Sequence, residues 1–319
     1  MILSSNNITI KQHYVPQVYL RGFSPEYSRK KELRYPTEKH TIYCYKLGEK
    51  DQLKRAIPIK SICYEKDLYE LQDDSGQFII GNYFEHCFAE LERMFGEYRR
   101  KLEAKAFIKD NLKIKCFLTK DEKVFWTTYI VLQILRSPQV IQNVEDECRT
   151  TWKNELSDMQ IRNLARQVSL PFSKEIDENT KEAYLFQTFW CPMRNMSLGV
   201  GVDLERRIIT SDKTVFIYSG VDEFPCEEYE RVIFPISAEI CLFMFGREDK
   251  KIYDKNFLFQ IDENNREEIV KSISSSAFEK IYSNHLFNEE ETRYINEVEK
   301  DRQEDVKCEF PYKSRVIPT

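Results

Sequence analysis

His13, Gln17 and Arg21 stand four residues apart in the stretch HYVPQVYLRGF, residues 13–23. If helix begins early, this spacing brings imidazole, amide and guanidinium onto one line. An imidazole titrating near neutrality can act as general acid or base, or ligate a metal. The structural alternative is a half-buried histidine whose ring nitrogens satisfy backbone groups at the entry to the first helix. Further groups could complete a composite site. Arg136, before Ser137 and Pro138, can clamp a phosphate or carboxylate bidentately, or favour a helix C-terminus. Asp212, at the end of a strand, can serve as metal ligand or base, or close an Asx turn on its own backbone. Glu85 and Glu92, seven apart on one helix, could hold Mg²⁺ or Mn²⁺, or form a solvated face.

Taken as one site, these residues are assigned as follows. His13, Gln17 and Asp212 would do the chemistry. Tyr14, Arg21 and Arg136 would contact substrate, and Glu85 with Asp212 would take a divalent cation. That set describes a nuclease-like hydrolase of phosphodiesters. His86 and His285 lack partners at ligand spacing and read as structural. There is no H-E-x-x-H, G-x-S-x-G, P-loop or dinucleotide fingerprint.

Several elements must position these groups. Pro16 suits the first turn of a helix. Ser24 to Glu38 reads as a loop and Thr41 to Leu47 as a strand. A further strand is expected at Asp67 to Leu71. Apolar residues at spacings of three and four predict a helix from Asn82 to about Ala106. Thr119 and Glu122 form a capping box that opens a second helix. Ser137-Pro138 should kink or end it, with helix resuming to about Lys153. Asp158 to Val168 is helical, and Pro171 should close that helix. Asn179 to Met196 begins as helix. Strands follow at Arg206–Thr210, Thr214–Tyr218, Arg231–Pro235 and Glu239–Phe245. Glu267 to His285 reads as a helix with Ile269, Ile273, Ala277 and Ile281 in line.

The expected fold class is therefore α+β: a helical middle region packed with a mainly antiparallel sheet formed by strands before and after it. Residues 1–287 read as one composite domain and 288–319 as a charged, partly ordered tail. Aromatic residues (21 Phe, 18 Tyr, 3 Trp) suffice for a large core. A net charge of −5 argues against non-specific coating of duplex DNA, so contact with a nucleic acid or nucleotide would be local. Nine cysteines without C-x-x-C spacing imply neither a disulfide framework nor a zinc ribbon, and Cys87, Cys116 and Cys241 read as buried. A reducing, cytoplasmic setting follows. No apolar run is long enough to cross a membrane, and residues 1–12 do not read as a signal peptide.

The stretch His13, Tyr14, Val15, Pro16, Gln17, Tyr19, Leu20 and Phe23 resembles the N-terminal motif of a widespread microbial family, the domain of unknown function numbered 4238. Other pieces of that family's pattern follow in order. They are the helix bearing Glu85 and Glu92, the run Leu132, Gln133, Leu135, Arg136, Ser137 and Pro138, then Thr210-Ser211-Asp212, and then Phe234 to Ser237. The family often has T-S-D-N-P; here Lys213 and Thr214 replace the last two residues. The resemblance covers about residues 10–285 and implies a fold and positions, not an activity. The alternative to a hydrolase is a non-catalytic binding or sensor module for an anionic small molecule or peptide.

Overall fold

The computed structural model describes residues 9–29, 36–107, 114–170, 184–218, 229–246 and 256–304. Strand β1 (Lys11–His13) runs through Pro16, at the N-cap, into the short helix α1 (Gln17–Leu20) and a 3-10 turn (Arg21–Phe23). Strands β2 (Thr41–Lys46), β3 (Ile57–Pro58) and β4 (Tyr64–Lys66) precede the long helix α2 (Tyr83–Ala106). Next come β5 (Ile114–Lys115), α3 (Lys120–Leu135), α4 (Pro138–Trp152), α5 (Asp158–Ser169) and α6 (Tyr184–Arg194). The remainder is β6 (Ser197–Val202), β7 (Thr210–Ser211), β8 (Phe216–Tyr218), β9 (Arg231–Ser237), β10 (Ile240–Phe245), β11 (Phe257–Gln260), α7 (Glu263–Ser276), β12 (Lys280–Ser283) and α8 (Glu289–Glu304).

The fold is α+β, and its sheets are mostly antiparallel. Six strands run in the order β5-β11-β6-β10-β9-β8, four in the order β3-β2-β12-β7, and β1 pairs with β4. Among the described residues only the pairing of β11 with β6 is parallel. Strand β10 is buried at every position and β9 at all but Arg231, so the middle of the large sheet is covered on both faces. Aromatic rings join α2 to α3: Phe95 stacks on Tyr129 at 4.6 Å and Tyr98 on Phe125 at 3.7 Å. The Thr119–Glu122 capping box forms as the sequence predicts, and Pro138 opens α4 at its first turn.

Several expectations need correction. Arg206 to Ile209 is not a strand: Arg206 has φ +62, and of the expected run only Thr210 enters β7. Asp67 to Leu71 is not a strand; Asp67 has φ +50, and the chain turns there. Residues 267–285 are not one helix: α7 ends at Ser276, and Ile281 lies in β12, paired with Tyr45. Ala277 follows α7 with an extended backbone, so the apolar line continues from helix into strand. Residues 289–304, within the tail read as partly ordered, form α8, whose Ile295 is fully buried. Cys116 is exposed and Cys87 half-buried, rather than buried. Pro171, residues 179–183 and residues 305–319 lie outside the described residues.

Strand β6 is central to the large sheet yet hard to read. Its Ser-Leu-Gly-Val-Gly-Val composition offers few side chains to a pattern search. At Gly199 the missing side chain makes room for the rings of Phe257 and Phe245, whose atoms would lie 2.9 and 3.0 Å from a Cβ.

The N-terminal motif docks on this sheet through its backbone. Gly22 accepts a hydrogen bond from the Ala238 amide at 3.0 Å. A Cβ at Gly22 would stand 2.9 Å from the Ile236 carbonyl oxygen. Gly22→Ala is therefore expected to destabilise the protein by about 1–3 kcal/mol, the usual cost of overpacking. Denaturant unfolding measures it; an unchanged midpoint would contradict the close approach.

Candidate functional site

The Ser137-Pro138 pair determines where Arg136 sits. Arg136 is the C-cap of α3, and Ser137 turns the chain so that Pro138 can begin α4. At this elbow the Arg136 side chain is 2% exposed. Its Nη2 donates to the His13 carbonyl at 2.6 Å and its Nη1 to Glu92 Oε1 at 3.3 Å. The guanidinium carbon lies 4.1 Å from the Phe88 ring centre. The Tyr69 hydroxyl donates to the Arg136 carbonyl at 2.9 Å. Arg136 is thus a clamp on the protein's own backbone, with α2, α3 and the N-terminal segment as its jaws.

Around that buried cation the structure gathers most of the sequence-derived residues. His13 ends β1 opposite Tyr64 of β4, ring centres 5.5 Å apart. Gln17, the first residue of α1, brings its amide nitrogen to 3.4 Å from His13 Nε2. The four-residue spacing does join the two side chains, though across a strand-to-helix junction rather than along one helix. Arg21 follows in the 3-10 turn, where the charges of Arg99 and Glu92 reach it. Glu85 and Glu92 share the face of α2 that looks toward Arg136.

The electrostatics push neighbouring groups in opposite directions. Burial holds the His13 imidazole below its ordinary value, Arg136 and Lys11 adding to the effect, while a hydrogen bond to the Lys60 backbone opposes it. Their net effect favours the neutral imidazole. Burial pushes Glu85 up to about 7, aided by Glu92 and Glu70 and opposed by Arg136. Burial and then Arg99 pull Arg21 down, against Glu92.

Tyr14 and Asp212 belong to a different neighbourhood. Burial first, then the charges of Cys63 and Asp212, raise the Tyr14 hydroxyl. Asp212 accepts three backbone N–H groups: Phe278 at 2.7 Å, Glu279 at 2.8 Å and Lys280 at 2.9 Å. Burial pushes its carboxyl up against the pull of those amides. Both oxygens are thus occupied in fastening the end of β7 to the start of β12, across 66–68 residues of chain, rather than in closing an Asx turn on their own backbone. The groups bearing on Asp212 include Lys280, whereas those bearing on Glu85 are Arg136, Glu92 and Glu70. Among the described residues no three His, Cys, Asp or Glu side chains gather where one ion could take them.

Two polar residues of this region carry no sequence signal. Gln12, fully buried, donates to Glu70 Oε1 at 2.6 Å and accepts from the Tyr69 amide at 2.6 Å. Glu70 also receives the Asn82 amide, tying β1 to the start of α2. The partners are 58 residues apart, and only the fold brings them together. His285, expected as a lone helical histidine, instead follows β12 and meets the buried Glu291 of α8 at 2.9 Å.

The family model described as Protein of unknown function (DUF4238) matches residues 11–286. The chain belongs to this family. No curated protein and no solved structure shows significant similarity to it. Among the described residues no helix is long and apolar enough to cross a membrane.

Two consequences are measurable. Arg136→Ala leaves the His13 carbonyl and Glu92 without their donor. Because Glu92 is 28% exposed and can turn to water, a loss of about 3 kcal/mol is expected, the low end for a broken buried pair; an unaltered unfolding curve would show that the clamp is dispensable. Glu85 keeps its proton up to about 7 when folded, whereas its ordinary value is 4.5. The folded state therefore binds more protons between those values, and this contribution to stability declines as pH rises through the window. Glu85→Gln should flatten that slope in unfolding experiments run at several pH values.

Proposed function

We propose that the chain is a hydrolase acting on phosphodiesters, nuclease-like in class, working by general acid–base chemistry at the His13 site. The observation that carries this reading is the opposite displacement of two groups around one buried guanidinium. A neutral imidazole and a carboxyl protonated up to about 7 are the two halves that such catalysis requires at neutral pH. His13 takes the proton from the attacking water as the new P–O bond forms. Glu85 gives its proton to the leaving oxygen as the old P–O bond breaks. The proton on His13 and the vacancy on Glu85 then exchange through solvent. Gln17 orients the imidazole, and Arg21 supplies positive charge for the phosphate. Arg136 acts as a positioning residue, because its donors serve His13 and Glu92. Asp212 has no part, its oxygens being held by amides.

A second reading rests on the occupancy of Arg136. A clamp spent on backbone and Glu92 leaves fewer donors for a transition state, which favours a non-catalytic site for an anionic small molecule or peptide. Incubation with RNA, DNA and nucleotide substrates separates the two, with Mg²⁺, with Mn²⁺ and with a chelator. Turnover is expected to persist under chelation. It should fall about 10²–10⁴-fold in His13→Ala and in Glu85→Gln, with both variants still folded by circular dichroism. Substrate-dependent thermal stabilisation without product would select the binding reading, and turnover that needs the metal would remove the acid–base assignment.

A further inference from the structure

A second polar groove, of about 440 Å³, opens where β4 meets the α4–α5 hairpin. None of its walls belongs to the His13 site. Its floor is Arg166, whose side chain is 4% exposed. Two of the Arg166 N–H groups serve backbone carbonyls, Nε to Leu68 at 2.8 Å and Nη1 to Arg162 at 2.9 Å. Its remaining guanidinium hydrogens meet no acceptor at hydrogen-bond distance among the described residues; Glu145 Oε2 stands off at 3.8 Å. Arg162, one helical turn earlier, lines the same groove and forms no ion pair with a described residue. Lys66 stands at the rim. The acidic groups are Glu65, itself raised by burial, and Glu145, which already pairs with Arg149 at 3.0 Å.

A buried cation beside a second cation is an unfavourable arrangement that Glu145 at 3.8 Å and Glu65 offset only in part. Burial, and then the charge of Arg162, pull Arg166 down to about 10, against the opposing pull of Glu145, Glu65 and Glu70. Arg162 and Arg166 stand one turn apart on α5 and line one groove, so two guanidinium groups are available to one anion, and a tetrahedral oxyanion offers acceptors to both. A carboxylate, being planar, is satisfied by a single fork.

We propose that this groove binds the phosphate group of a small molecule, held between Arg162 and Arg166. Arg166 supplies the fixed fork and Arg162 the one that closes on the ligand. Lys66 adds charge at the mouth, and Glu65 and Glu145 accept hydrogen bonds from the remainder of the molecule.

The test is calorimetric titration of the full chain with inorganic phosphate, and with acetate as the carboxylate arm, ionic strength being held with chloride. Phosphate is expected to bind more tightly than acetate. Arg162→Ala, on a half-buried helical position, should weaken phosphate about tenfold, the worth of one charged hydrogen-bonding group. Arg93→Ala, on the exposed face of α2, should leave it unchanged. Absence of phosphate binding, equal affinity in Arg162→Ala, or acetate binding as tightly as phosphate would overturn the proposal. Loss of binding in His13→Ala but not in Arg162→Ala would place the phosphate at the other site and also overturn it.

Discussion

A single cation removed from water organises the N-terminal half of this protein. Arg136 reaches from the elbow between α3 and α4 to the His13 carbonyl and the Glu92 carboxylate, with Phe88 against its π face. A guanidinium at this depth costs several kcal/mol in lost hydration unless its donors are used. The fold uses Nη2 on the very segment that carries the imidazole and Nη1 on Glu92. Burial lowers His13 and raises Glu85; the field of the same cation adds to the first shift and opposes the second. The position of the N-terminal strand is therefore tied to one interaction, whose charge also modulates the shifts that burial imposes on His13 and Glu85.

On the opposite side of the same segment, Tyr19 plays the corresponding part in the core. Its hydroxyl shares a 2.7 Å hydrogen bond with Thr210, and its ring lies over Phe234 at 5.5 Å. Gly22 then meets β9 and the turn that follows it. The separated motifs of the family pattern thus meet around residues 13–23, but for two purposes. The Arg136 side frames a polar site. The Thr210 and Phe234 side is packing, and Asp212 completes it by gathering the amides of residues 278–280.

This division explains what the sequence disclosed. Helices with strong three-and-four spacing, such as α2, and with a capping box, such as α3, were legible because the signal is local. His13 with Gln17, and Glu85 with Glu92, were legible for the same reason. The partnership of Gln12 with Glu70 was not, since a long-range pair leaves no periodic trace. Nor was the role of Asp212: an aspartate in a turn looks alike whether its oxygens face a cation or a set of amides. β6 escaped because glycine contributes nothing to a hydrophobic pattern. The boundary between α7 and β12 escaped because Ile281 continues the apolar line of a helix that has already ended.

The last helix bears on how the molecule can be dissected. The family match stops at residue 286, yet α8 begins three residues later and seals the fold beyond it. Ile295 is fully enclosed, Glu291 holds His285, and Asn296 accepts from the Tyr45 hydroxyl at 3.1 Å. A fragment trimmed to the family boundary would bare an apolar seat on β2 and α7 and leave His285 without its carboxylate. Recombinant versions intended for biochemistry should therefore extend through Glu304, since a shorter one would confuse insolubility with inactivity.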